Sequence, residues 1–591
     1  MNVKEWQRPV LLVAMAVVGV LLLIEWQKFQ ATRQPAVDTI TTSSITPSEP
    51  ADSQNATNPV PAAIDRSDET AADEVAPITV IEETNQENTA DHQTKAASSA
   101  KLLTVTTDTL EVVIDTYGGD IVKVALLQHS LSLEQPDQPF ILLNRTNSLR
   151  YIAQTGLLGS SFGAADTTKT TPLLFTADSN SYVLNNNDDS LVVDLKHNIN
   201  NNVALTKRYT FGRNRYLIDI DLIVENRGQT NISSKMYSQM IRDNTLPVKT
   251  GPGIGIKSFF GPATTTDEDR YDKYKFDDIK DGDFSKKYSA SFHHMGGWMA
   301  MVQHYFVSAV VPPAEQENDF FIRPTNSSAT QFVMGYVGPS IDIPAGQTVT
   351  LSTRFYSGPK DIHRLEEIAP HLDRVLDFSW LFFIARPMYL FLLWIHDFVK
   401  NWGLAIILLV LCIKALFYPI ASAGFRSMAK MKVFAPKMQE LKERYSDNKQ
   451  KFSEEMMKLY KKEGVNPVGG CLPVILQIPV FISLYWVILE AVDLRHAPFM
   501  LWINDLSDQD PFFILPLLYG VIMWFQQKLN PAMGDPTQQK IMQMMPIVFT
   551  FMFLFFPAGL VLYWVVNQLL SILQQWYITK QIERSQGLKK A

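Results

Sequence analysis

A chain of 591 residues is too long to fold around one ordinary core, so several domains are expected. Its formal charge of −7 is modest and argues neither for nor against nucleic acid. The two cysteines, Cys412 and Cys471, both lie in the apolar C-terminal region, so the preceding soluble-looking region must fold without disulfides. They carry no redox motif and read as two small apolar residues buried in a core.

At the N-terminus, Lys4 and Arg8 precede an unbroken apolar run from Pro9 to Ile24, closed by Glu25. The run is long for a cleaved signal peptide and no A-x-A site follows it, so a retained first span with its N-terminus in the cytoplasm is expected. A cleaved signal is the alternative. Residues 34–99 hold twelve Asp or Glu, two Lys or Arg, six Pro and no aromatic residue. Such a stretch buries too little apolar surface to offset its ordering entropy, and reads as a tether.

From residue 100 the pattern alternates. Leu110–Asp115 and Asp120–Ala125 flank Tyr117-Gly118-Gly119, a hairpin signal. Similar runs recur at Leu191–Leu195, Tyr216–Val224, Tyr305–Val311, Gln331–Tyr336 and Val349–Phe355, which predicts a large antiparallel sandwich. Residues 359–377 switch to a helical period. His293, His294 and His304 have no acidic residue at a metal-ligand spacing, and neither H-E-x-x-H nor G-x-S-x-G occurs. A docking or spacing module is the expectation for this domain. No catalytic residue and no metal site are assigned.

The remainder is dominated by apolar residues. Phe378–Val399 is interrupted by Arg386-Pro387 and ended by His396-Asp397, which suits a helix lying in the membrane interface. Trp402–Ala421 and Val468–Leu489 read as spans, and Phe512–Phe525 as a short one. Ile541–Leu573 exceeds one span and contains Phe556-Pro557-Ala558-Gly559, so two helices and a tight turn are expected. The loop from Ser422 to Asn466 has eleven Lys or Arg against six acids; that from Ala491 to Pro511 has one Arg against four Asp. The tail from Gln574 has four Lys or Arg against one Glu. With a turn at Pro557 every basic segment is cytoplasmic, giving six spans with both termini inside and the β domain outside.

The boundaries follow. Residues 1–25 are an uncleaved span, 26–99 the tether, 100–365 the β-sandwich, and 366–400 a helix and the interfacial helix. The second span is 401–421, a cytoplasmic helical hairpin occupies 422–466, and the third span is 467–490. An outer loop (491–511), the fourth span (512–528) and an inner loop (529–540) come next. The fifth and sixth spans, 541–556 and 557–578, lead to a basic tail, 579–591. The fold class is thus an α-helical polytopic membrane protein with a large all-β outer domain.

One charge falls inside a span. Lys414 lies about twelve residues from the outer end, roughly 18 Å deep. An unpaired Lys there costs about 2.5–3.5 kcal/mol on insertion scales, and no Asp or Glu lies deep enough in another span to pair with it. Snorkelling to the cytoplasmic surface is one reading; a wet cavity open to the cytoplasm is the other. Tyr563, Asn567 and Ser571, spaced i, i+4, i+8, form one stripe, and Gln477 adds a polar group to the third span. Inter-helix hydrogen bonding would also explain them, but beside Lys414 they favour a polar-lined groove. In the cytoplasmic hairpin Met428, Met431 and Met438 fall on an apolar helical stripe, fit either for varied apolar partners or for an ordinary seam.

These segments also carry a resemblance. Asn466-Pro467-Val468-Gly469-Gly470-Cys471-Leu472-Pro473, continuing to Gln477-Ile478-Pro479-Val480-Phe481, resembles the third-span signature of the YidC membrane protein insertases. Ala497-Pro498-Phe499, Leu501-Trp502-Ile503, Asp505-Leu506-Ser507 and Asp510-Pro511 resemble that family's second outer loop, and Phe556–Tyr563 its final hairpin. The first span, tether and β domain fit the Gram-negative form, whose periplasmic domain is a β-supersandwich.

The resemblance implies an inner-membrane insertase without a cofactor or small-molecule substrate. It would receive nascent membrane proteins from the ribosome and signal recognition particle pathway, alone or beside the Sec translocon. The family's groove cation, usually Arg, falls on Lys414, which keeps the charge and loses the planar fork. Trp564 stands where near relatives often carry a second tyrosine after Tyr563. A secondary transporter is the alternative, but such proteins usually place Asp, Glu or His in the spans.

Overall fold

The computed structural model describes residues 101–585, apart from 147–148, 160–171, 246–257, 267–269, 282–290, 326–329, 434, 446–447, 464–471 and 530–535. The expected first span, the tether and the end of the tail lie outside the described residues.

Residues from Leu102 to Pro359 form two antiparallel-rich sheets, one of ten strands and one of eight. The alternation is plainest at Val203–Gly212, where every other residue is buried. The period of two puts Leu205, Tyr209 and Phe211 on one face, against the other sheet. The first hairpin forms as its sequence indicates: Leu110–Asp115 pairs antiparallel with Asp120–Ser132. Gly118 and Gly119 take φ of +87° and +62°, which L side chains rarely adopt. The turn is then clamped from the facing sheet, where Lys207 Nζ donates to the carbonyls of Gly119 (2.7 Å) and Thr155 (2.7 Å). Tyr336 in the ten-stranded sheet donates to Thr353 Oγ1 in the other at 2.7 Å, so the interface carries some satisfied polar groups.

The helices are α1 (Phe276–Lys280) and α2 (Ile362–Ile368) in the β domain, then α3 (Phe382–Val399), α4 (Trp402–Leu416), α5 (Tyr418–Val433), α6 (Ala435–Arg444) and α7 (Lys449–Glu463). The last four are α8 (Leu472–Glu490), α9 (Ile514–Leu529), α10 (Pro536–Phe553) and α11 (Ala558–Ser585). Among the described residues only Ser379–Val399 is, by length and composition, a single helix able to cross a bilayer.

Two features differ from the sequence reading, and the expected helix within Phe378–Val399 is continuous. The helix α3 runs unbroken through Pro387. The hydrogen bond that proline forfeits would reach the carbonyl of Phe383, in the first turn of the helix. The apolar run to Ala421 is not one straight helix: α4 ends at Leu416 and α5 leaves at 69°. Pro419 accounts for the break, because it has no N–H for the Ala415 carbonyl and its ring clashes there, whereas it is tolerated in the first turn of a new helix. Finally Cys412 is exposed on α4 rather than buried, whereas Cys471 lies outside the described residues. The α4 face carrying Leu404, Leu408 and Leu411 is exposed too, so Cys412 is still in apolar surroundings.

The β domain is fastened to the helices at one seam. Lys360, just past the strand Thr348–Pro359, forms an ion pair with Glu490 at the end of α8, and both side chains are fully buried. His304 Nε2 donates to the carbonyl of Leu489 (2.8 Å), and Arg495 donates to that of Leu131 (2.9 Å). Burial, then the positive charge of Lys360, lowers the His304 pKa to about 4, so it is neutral at this seam.

Candidate functional site

Three helices bring the polar residues of the apolar region together. Lys414 sits in the last turn of α4, three residues before the bend at Phe417, and Asn401 caps that helix by accepting from the Leu404 N–H at 2.9 Å. The helix α11 presents its stripe inward: Tyr563, Asn567 and Ser571 are all buried. Lys414 Nζ donates to Ser571 Oγ at 2.7 Å, and Ser571 Oγ donates to the carbonyl of Asn567 at 2.8 Å. Gln477, on α8, donates from Nε2 to Asn567 Oδ1 at 3.3 Å. The result is one hydrogen-bonded chain across α4, α11 and α8, with the half-buried ammonium at one end.

Toward the other end of α11 the lining turns aromatic. Phe481 on α8 lies 4.7 Å from the Trp564 ring centroid and 6.4 Å from that of Tyr563. Phe553 and Tyr519 also border Trp564, at 5.7 and 6.1 Å. Four predicted residues thus join in one polar chain, and the other two, Tyr563 and Trp564, continue it as an apolar aromatic patch.

The methionines lie apart. Met428 packs with Phe425 and Ile578, where α5 meets the end of α11. Met438 on α6 accepts a weak hydrogen bond from the Tyr460 hydroxyl of α7 (3.8 Å), so it belongs to the α6–α7 seam. Met431, on α5, is half-buried.

One member of the stripe was missed. Gln575 is the next i+4 position after Ser571 and is as buried as the others. Extending the same spacing by one turn would have found it.

The starts of α4 and α11 are tied by the 491–511 loop. Ala558 and Gly559 donate their N–H groups to the carbonyls of Asp508 (2.7 Å) and Leu506 (2.9 Å), which fixes the start of α11. A Cβ at Gly403 would overlap the Phe499 ring, so the start of α4 is seated against the same loop.

The model of the family described as "60Kd inner membrane protein" matches residues 394–586, and that of the "YidC periplasmic domain" matches residues 102–391. Among similar relatives, the membrane protein insertase YidC of Cellvibrio japonicus is 44% identical over 583 residues, covering 98% of this chain and 99% of that one. The chain belongs to the YidC family of membrane protein insertases. The Saccharophagus degradans member is 49% identical over 83% of this chain and 86% of its own, and the Marinobacter nauticus member 41% over 99% of each. A solved active YidC insertase aligns over 85% of this chain and 95% of its own with 18% identity and a TM-score of 0.37. By the family models, the sheet-rich region and the first half of α3 match the YidC periplasmic domain, and the helices from α4 onward fall within the inner membrane protein match. Neither the family models nor these relatives support the secondary-transporter alternative.

Proposed function

We propose that the α4–α8–α11 polar chain is the client-binding surface of this insertase, and that it opens to the cytoplasm as a hydrophilic groove. The observation that carries the reading is Lys414: a cation held by one neutral hydroxyl, with no carboxylate bonded to it among the described residues. An ammonium so placed attracts the polar or acidic end of a nascent segment and lowers the cost of desolvating it. The apolar helix of that client then passes Tyr563 and Trp564 into lipid. No covalent step and no cofactor are needed.

The topology that supports this has six spans, both termini in the cytoplasm and α3 in the outer interface. In α3, Phe383, Trp394 and Phe398 are exposed on one side, while Tyr389, Leu392 and Ile395 are buried on the other, the pattern of an interfacial helix. The helices α4 and α9 have 15 and 16 residues, only about 22–24 Å each, so the bilayer around the groove thins to meet them. The basic α6–α7 hairpin faces the cytoplasm, where the ribosome and signal recognition particle pathway deliver clients, alone or beside the Sec translocon.

The test is a protease-protection assay of a single-span client with an acidic translocated end, in membranes of Lys414 variants at matched expression. Lys414→Arg retains insertion, Lys414→Leu impairs it, and Lys414→Glu is worse because it repels the client end. Equal insertion by wild type, Leu and Glu variants would show the charge to be idle and the chain to be inter-helix glue.

A further inference from the structure

The loop between α8 and α9 buries Leu494, Ile503 and Leu506 but leaves a second set of large apolar side chains outside. One of its carboxylates is turned inward: the buried Asp510 accepts from Trp502 Nε1 (3.0 Å) and from the N–H groups of Phe512 (3.1 Å) and Leu515 (2.6 Å). Asp505 accepts from the Ser507 N–H and hydroxyl at 2.8 and 2.7 Å. Three large apolar groups nevertheless turn outward. Leu501 is 82% exposed, Phe512 64% and Met500 50%. A loop in water would place its residues the other way round. Backbone strain fixes the arrangement, since Leu501 and Phe513 take φ of +57° and +55°. A bulky residue is held in that conformation only when its surroundings over-determine it.

The part of the periplasmic domain that touches this loop also exposes apolar side chains. The hairpin of Asp120–Ser132 and Gln135–Arg145 rests on it through Arg495 to the Leu131 carbonyl, and through Ser130 Oγ to His496 Nδ1 (3.2 Å). Leu131 and Leu133 at its tip are exposed. They belong to the small set of large apolar side chains that the β domain leaves uncovered.

We infer that these two tips form one lipid-contact surface, with Met500 and Leu501 entering the outer leaflet and Leu131 and Leu133 resting at its headgroups. The occupant is the bilayer because the surface is continuous with α9. There Phe512 and Phe513 lead into Leu517, Leu518 and Val521, which are exposed and apolar along a helix of an inner-membrane family. Glu134 beside Leu133 confines the hairpin to the headgroup zone. The loop that seats α4 and α11 is thereby held at a set depth. This inference rests on α9 crossing the bilayer with its start at the outer face.

The test uses the full chain with Cys412→Ser and Cys471→Ser, reconstituted in phosphatidylethanolamine–phosphatidylglycerol nanodiscs. Single cysteines replace Leu501, Leu133, Asn504, Val192 and Val521 in turn and carry an environment-sensitive fluorophore; unchanged melting verifies folding of each. Asn504 is an exposed polar site of the same loop, and Val192 an exposed apolar site on an edge strand. Spin-labelled lipid quenches the Leu501 label severalfold more than the Asn504 or Val192 labels, the Leu133 label to an intermediate degree, and aqueous iodide gives the reverse order. Iodide quenching at Leu501 equal to that at Asn504, with the Val521 label quenched by lipid, overturns the inference alone. Loss of lipid quenching at Val521 as well overturns the span assignment on which it rests.

Discussion

The periplasmic domain and the helical bundle solve the burial problem in opposite senses. In the β domain, strands such as Leu217–Asn226 alternate, with Ile218, Ile220, Leu222 and Val224 buried. In the bundle, Leu404, Leu408, Leu411, Val521, Trp524 and Phe551 are exposed, while Asn567, Ser571 and Gln575 are buried. An apolar interior facing an apolar solvent gains little from burial, so the helices associate through packing and a few polar bonds. The same residue types therefore mean different things on the two sides of the Lys360–Glu490 seam.

The seam itself gives the largest expected effect. Removing one partner of a buried ion pair leaves an uncompensated charge, so Lys360→Met should destabilise by about 3–5 kcal/mol, and Lys360→Met with Glu490→Leu should recover most of it. Melting of the detergent-solubilised protein measures both. A single variant that melts like wild type would mean the two regions are not coupled there.

Next comes the reversal of surfaces. Val521→Lys on α9 should cost about 2.5–3.5 kcal/mol of insertion energy and lower the membrane-integrated yield. Val192→Lys on the β domain should stay within about 0.5 kcal/mol of wild type. Similar losses at both sites would erase the contrast.

The seam should also respond to pH. His304 is held at about 4, below its ordinary value of 6.5, chiefly by burial. The undocked state therefore takes up the proton first as pH falls. Docking is fully stable above about 6.5 and weakens progressively down to about 4, by up to about 3 kcal/mol. His304→Asn, which keeps an N–H for the Leu489 carbonyl, should flatten the pH dependence of melting between pH 7 and 4.5.

The smallest effect separates glue from groove. Gln575→Leu removes one polar member of the α11 stripe and should cost about 0.6 kcal/mol, the usual scale of a hydrogen bond between membrane helices. If the stripe serves the client, insertion in the protease-protection assay falls by more than that loss of stability explains. Unchanged insertion would assign Gln575 to packing.

Much of this was legible in order along the chain. A period of two needs only local residues to declare itself, so the strand runs from Leu110 to Phe355 were readable, as was the Tyr117-Gly118-Gly119 turn. The i, i+4 stripe of α11 follows from helix geometry alone, and stopping it at Ser571 rather than Gln575 was a matter of reading one turn short. The bend at Phe417 was written in Pro419, but composition cannot separate a straight apolar run from two helices of the same total length. Pro387 shows the converse, since whether a proline breaks a helix depends on which carbonyl loses its partner and what surrounds it.

What the sequence determined by itself was the solvent of each segment, because hydropathy and charge are properties of residues one at a time. What only the tertiary structure decided was partnership. Lys360 and Glu490 are 130 residues apart, and Lys414 and Ser571 are 157 apart. Nothing local tells a lysine at a strand end that it will meet a carboxylate at the end of a membrane helix. The free energy of burying both charges depends on a distance and a local dielectric that exist only once the two regions have docked.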